Sequence, residues 1–93
     1  MTAQNDADDP ARPGEIPRQL LEYLAECLVE VPEKVSVERF EGDDGTIVLE
    51  LGVAPDDYGR VIGRGGRTAH ALRAVVKAAA TGEGSHVLVD IVE

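Results

Sequence analysis

Ten consecutive residues, Gly59-Arg60-Val61-Ile62-Gly63-Arg64-Gly65-Gly66-Arg67-Thr68, hold four glycines and three arginines. Glycine lets a backbone come close to a sugar-phosphate chain and turn sharply, and arginine offers a planar, multi-donor cation, so phosphate binding is the first chemistry to test. Two phosphate-binding templates fail. In a P-loop register Gly66-Arg67-Thr68 imitates the end of the motif, but Val61 takes the place of its first glycine and Arg67 that of its lysine. In a dinucleotide fingerprint starting at Gly63 and Gly65 the third glycine falls on Thr68, and a helix rather than a strand comes before it. Nucleotide hydrolysis and hydride transfer therefore lose their support, and what remains is a Gly-x-x-Gly turn, Gly63 to Gly66, between two helices.

The charge around this turn is unlike that of the rest of the chain. The whole protein carries 9 Lys plus Arg against 18 Asp plus Glu, a net of −9, which by itself argues against a polyanionic partner. Between Tyr58 and Gly82, however, there is no acid, and Arg60, Arg64, Arg67, Arg73 and Lys77 supply +5. At about 100° per residue, Arg67, His70, Arg73 and Lys77 occupy an arc of ~120° on the second helix. Leu72, Val75, Val76 and Ala79 occupy a separate arc of ~100°. The basic stripe thus starts at the glycine-rich turn and runs along one helix face, with Lys77 its weakest member and His70 a surface position.

The elements that must hold the turn can be read outward from it. Leu20, Leu21, Leu24, Cys27 and Leu28 recur at helical spacing over Arg18 to Val29, with Pro17 suited to a first turn and Pro32 ending the segment. Cys27 falls on that apolar stripe and is expected in the core. Val35 to Glu41 and Thr46 to Val53 alternate, and Gly42-Asp43-Asp44-Gly45 between them is a turn, so the pair forms a β-hairpin. Asp43 and Asp44 are then turn residues, not metal ligands. Ala54-Pro55-Asp56-Asp57 opens a short helix to about Ile62, with both acids serving its dipole. The second helix reaches to about Thr81 with Gly82 as its stop, and His86 merely begins a third strand that ends at Val92, with Val87, Val89 and Ile91 on one face. The order is α-β-β-α-α-β, an α+β fold with a three-stranded sheet and helices on one face.

Ninety-three residues allow one domain and exclude a two-domain enzyme. Residues 1–17, with Asp6, Asp8, Asp9 and Glu15 among Pro10, Pro13, Gly14 and Pro17, read as a disordered acidic tail, leaving residues 18–93 for the domain. One cysteine permits no internal disulfide and has no partner at zinc-site spacing, and no run approaches the ~20 apolar residues of a membrane span. The start of the chain has no apolar core like that of a signal peptide, so a cytoplasmic location is expected. No cofactor and no catalysis are expected either, because Cys27, His70 and His86 have no arranged base or nucleophile beside them in sequence.

The run Gly59-Arg60-Val61-Ile62-Gly63-Arg64-Gly65-Gly66-Arg67, followed by the Ala-rich segment Ala69 to Ala80 in this element order, resembles a KH domain of the prokaryotic, type II topology. With its length and Val53-Ala54-Pro55-Asp56-Asp57 ahead of the motif, the chain is similar to the small bacterial KH domain protein A (KhpA) family over residues 18–93. Two positions differ from the usual pattern: Gly65 replaces a polar or charged residue, and Thr68 stands where the family often has isoleucine. The resemblance implies binding of single-stranded RNA, through a loop that clamps about four backbone nucleotides beside a groove for the bases. Carried onto this sequence, the RNA-binding set is Gly59, Arg60, Ile62, Gly63, Arg64, Gly65, Gly66, Arg67, His70 and Arg73. With no aromatic from Gly59 to Gly82, bases are expected to meet an aliphatic groove that includes Ile62. The resemblance further implies an RNA chaperone or post-transcriptional regulator that works with a larger KH-domain partner of the KhpB (Jag) type and is linked to cell-wall homeostasis and cell shape. A homodimer stays open, and the alternative is a protein-interaction module whose loop is vestigial.

Overall fold

The computed structural model describes Asp9 and residues 11–93. Helix α1 spans Glu15–Leu28, strands β1 and β2 span Ser36–Glu41 and Ile47–Gly52, and helices α2 and α3 span Tyr58–Ile62 and Arg67–Glu83. Strand β3, Val87–Ile91, follows. Single 3-10 turns lie at Pro32–Lys34, Pro55–Asp57 and Arg64–Gly66. The strand order is β1-β2-β3, with β1 antiparallel to β2 and β3 parallel to it. Parallel pairing of β2 with β3 needs a long crossover, which α2, the glycine-rich turn and α3 supply. This is the α-β-β-α-α-β arrangement of a type II KH fold.

The hairpin alternates as its sequence dictates. Ile47, Leu49 and Leu51 are buried and join Val37, Val87 and Ile91 beneath the helices. Leu21 and Ala25 of α1, Val61 of α2, and Ala69, Leu72, Val76 and Ala80 of α3 close the core over them. At the hairpin tip Gly45 adopts φ 84°, and the Asp44 carboxylate accepts bonds from the Thr46 amide at 2.9 Å and its hydroxyl at 3.1 Å. Those bonds hold the Asp44 carboxyl below the usual carboxylate range.

Four expectations change. Helix α1 begins at Glu15, not Arg18, and Glu15 and Pro17, assigned to the tail on composition, are buried. Burial of Glu15 is offset by Arg18, whose guanidinium reaches it at 2.7 to 3.0 Å, and by Gln19 at 3.1 Å. The expected disorder of residues 1–8 and 10 lies outside the described residues. Cys27 is exposed, because the contact made by α1 centres on Leu21 and Ala25 and leaves the shoulder of the stripe uncovered. Val75 is likewise 47% exposed on the shoulder of α3. Finally α3 runs past Gly82 and stops at Gly84, whose φ of 81° lets its amide and that of Ser85 bond back to Thr81 and Ala80 at 3.1 and 2.8 Å.

Candidate nucleic-acid interface

The turn from α2 to α3 depends on backbone angles open to glycine. Gly63, Gly65 and Gly66 have φ of 77°, 64° and 77°, three positive values within four residues. At Gly63 a side chain is also excluded sterically, since a methyl group there would meet Cβ and the amide nitrogen of Thr68 at 2.8 and 2.9 Å. Thr68, the residue that departs from the usual pattern, thus packs directly against the first glycine of the loop. Around Gly65 and Gly66 there is open space, so these two serve conformation rather than close packing. Gly66 sits at the N-cap of α3, so no side-chain cap covers the first-turn amides, and no acid lies in that turn. The positive end of the helix dipole therefore faces outward beside the exposed Arg64.

From the loop the expected stripe continues along α3. Arg67, His70, Arg73 and Lys77 are all exposed there, and Ile62 is half-buried against the core at the base of the loop. Arg73 does more than face solvent. Its Nε donates to the Val89 carbonyl at 3.3 Å, linking α3 to β3. The His86 carbonyl accepts from Ile47 and the Val92 amide donates to Leu51, so even-numbered residues of β3 bond to β2. The backbone groups of Val87, Val89 and Ile91 consequently point to the free edge of the sheet. Between that edge and the basic stripe lies a cleft of about 300 Å³ lined by Arg73, Lys77, His86, Val87, Leu88 and Val89.

Two sequence-predicted positions have other duties. Arg60 is tied to Glu30 at 3.2 Å and to Asp57 at 3.3 Å. Asp57, expected to serve the helix dipole, makes no side-chain cap. Its buried carboxylate accepts from the amides of Glu30 and Val31 at 3.1 and 3.0 Å, fastening the segment after α1 to the start of α2. Arg60 is thus held toward that segment, while Gly59 beside it borders open space. His86, whose spacing in the sequence marks only a strand start, lines this cleft, which exists only once β3 pairs with β2.

Comparison with known proteins decides the family. A profile described as KhpA/KhpB, KH domain, matches residues 18–91. The chain belongs to this family. The RNA-binding protein KhpA of Clostridium acetobutylicum is 49% identical over 75 residues, 81% of this chain and 99% of its own. That of Halalkalibacterium halodurans is 49% identical over 77 residues, 82% and 99% of the two chains, and that of Chlamydia trachomatis is 36% identical over 76 residues, 82% and 96%. Among solved structures, Aquifex aeolicus Era bound to GDP and aluminium fluoride superposes with a TM-score of 0.57 at 20% identity, over 82% of this chain and 29% of Era. Era in complex with a nucleotide and a segment of 16S ribosomal RNA gives 0.55 at 18% identity, over 98% and 34%. The Era likeness shows the KH fold alone. Among the described residues no helix is long and apolar enough to cross a membrane, and no group of His, Cys, Asp or Glu could hold a metal ion.

Proposed function

We propose that this KH domain binds single-stranded RNA without catalysis, in the cytoplasm, as an RNA chaperone or post-transcriptional regulator with an acidic leader ahead of the domain. The observation that carries the reading is the continuity of three features. A loop of positive-φ glycines opens onto the uncapped start of α3, an acid-free stripe continues it, and the cleft against β3 lies alongside. The names of the relatives, RNA-binding protein KhpA, agree with it.

In this reading Gly63, Gly65 and Gly66 let the sugar-phosphate chain approach, and the positive end of the α3 dipole with the Arg64 guanidinium meets its phosphates. Arg67, His70 and Arg73 follow the strand along α3, and Gly59 and Arg60 support the loop from α2. Bases turn into the cleft, where the valines of β3 offer aliphatic contact, while Ile62 stays at the base of the loop, outside the cleft lining. The free-edge backbone groups of β3, apart from the Val89 carbonyl that Arg73 holds, supply hydrogen bonds that depend little on base identity. A domain this small binds weakly alone, so a larger KH protein of the KhpB (Jag) type would raise the effective concentration of RNA sites. We place that complex in cell-wall homeostasis. The surface offered to a second copy is an apolar cleft of about 260 Å³ between α1 and α3, lined by Leu24, Cys27, Leu28, Thr68, Ala71, Leu72 and Val75.

Fluorescence anisotropy with single-stranded RNA tests the central part. The double variant Gly63→Asp, Arg64→Asp should bind about a hundredfold more weakly, which corresponds to removal of two or more charge-assisted bonds at roughly 1.5 kcal/mol each. Arg64→Asp alone, at an exposed position, separates weakened binding from failure to fold. Equal affinity of all three proteins overturns the reading and leaves the interaction-module alternative. Sedimentation of Val75→Asp tests the dimer, with a shift to monomer expected.

A further inference from the structure

The face of the sheet turned away from the helices has a pattern of its own. The pairing register sets Phe40 beside Val48 and Val48 beside Leu88, one apolar row across all three strands. Phe40 and Leu88 are 48% and 54% exposed, and Phe40 is the sole phenylalanine of the chain. The next row on the same face is Glu38, Glu50 and Asp90, again one residue per strand. None of these three carboxylates has an ion-pair or hydrogen-bond partner among the described residues. Like charges set directly opposite each other weaken a sheet, and exposed large apolar groups gain nothing from folding. Two adjacent rows, both unfavourable for the isolated domain, are therefore the imprint of something that covers them.

We infer that this outer sheet face docks a protein segment presenting an apolar ridge flanked by lysine or arginine. The ridge would lie along Phe40, Val48 and Leu88, and the cations would pair with Glu38, Glu50 and Asp90. Charge selects this occupant over the others. RNA is repelled by the carboxylate row, and so is the chain's own leader, which contains Asp6, Asp8 and Asp9. A second copy has a net charge of −9, and its acid-free basic surface is the α3 stripe, whose use here would cover the RNA surface. The inference gives chemical content to the protein partner proposed above and rests on that part of the reading. Leu88 belongs to this row and also lines the cleft beside the basic stripe, so the two surfaces meet at β3, with RNA on the α3 side and the partner centred on Phe40, Val48 and the carboxylate row.

The test is photo-crosslinking in the native host, using the full chain with a benzophenone amino acid in place of Phe40 and, as a control, in place of Glu26 on α1. Crosslinked peptides are sequenced, and the same measurement is repeated with Glu50→Lys. That change sets a cation between Glu38 and Asp90, so the sheet keeps or gains thermal stability while a basic partner is repelled. The expected result is capture from position 40 of a segment with apolar residues flanked by Lys or Arg, at least tenfold weaker with Glu50→Lys and absent from position 26. RNA affinity, read in parallel, stays within twofold. Crosslinks to an acidic or uncharged segment, to RNA or to a second copy overturn the inference, as does capture unaffected by Glu50→Lys. A protein that co-purifies undiminished while position 40 captures nothing sinks this face and leaves the partner reading standing. If no protein co-purifies, both fail.

Discussion

The exposed stripe of α3 and the outer face of the sheet are built on opposite rules. Along α3 the solvent-facing residues Arg67, His70, Arg73 and Lys77 include no acid, and the helix begins at a glycine N-cap without a side-chain cap. Across the sheet, Glu38, Glu50 and Asp90 form a carboxylate row beside Phe40, Val48 and Leu88. A net charge of −9 averages these two surfaces and describes neither. Electrostatic attraction falls off over about 8 Å at physiological salt, so a polyanion responds to the surface it touches rather than to the total.

Reversing charge on the first surface should have the largest consequence. Arg67→Glu with Arg73→Glu is expected to lower RNA affinity about a hundredfold and to flatten its salt dependence, by roughly 0.7 in slope for each phosphate no longer neutralised. The fold should survive, because both side chains are exposed, an acid at position 67 suits the start of α3, and the one bond lost, from Arg73 to the Val89 carbonyl, is exposed and 3.3 Å long. Gly63→Ala comes next. Its methyl group would press on Thr68 at a φ of 77°, so a loss of about 2 kcal/mol in denaturant unfolding is expected, with weakened RNA binding alongside. On the acidic side, Asp44→Ala should lower the thermal midpoint slightly at neutral pH. The folded protein holds this carboxyl below its ordinary value of 3.8, so its contribution is present above that pH and disappears as pH falls through the folded value. Wild type and Asp44→Ala should therefore converge in strong acid. The smallest effect is on RNA binding by Glu38→Gln, which lies on the other face of the sheet and should change affinity less than twofold.

How much of the molecule is legible in its residues follows from the range of the interactions. The hairpin, the two long helices and β3 are written in local periodicity, and Ile47, Leu49 and Leu51 are buried as their alternation dictates. The glycine turn is legible for a similar reason, because a positive φ leaves its mark at a single position. The duties of Asp57 and Arg60 are not, since they depend on Glu30 and Val31, 27 and 26 residues away from Asp57, brought near by folding. Glu15 has the composition of an acidic leader, and only the fold encloses it with Arg18 and Gln19. Cys27 and Val75 fall on apolar stripes wider than the contact that α1 and α3 make with the sheet, and their exposure creates the cleft between those helices. The cleft beside β3 likewise needs the β2–β3 register, which no local pattern states, and so His86 comes to line it only through the fold.

The central claim is locality, and amide chemical-shift mapping of the full chain during titration with a short single-stranded RNA tests it most directly. The account predicts salt-sensitive shifts at Ile62 to Arg67, along His70, Arg73 and Lys77, and at His86, Val87 and Val89, with Glu38, Phe40 and Glu50 silent. Shifts centred on the outer sheet face, or saturating RNA that leaves Gly63 to Gly66 unmoved, would contradict it.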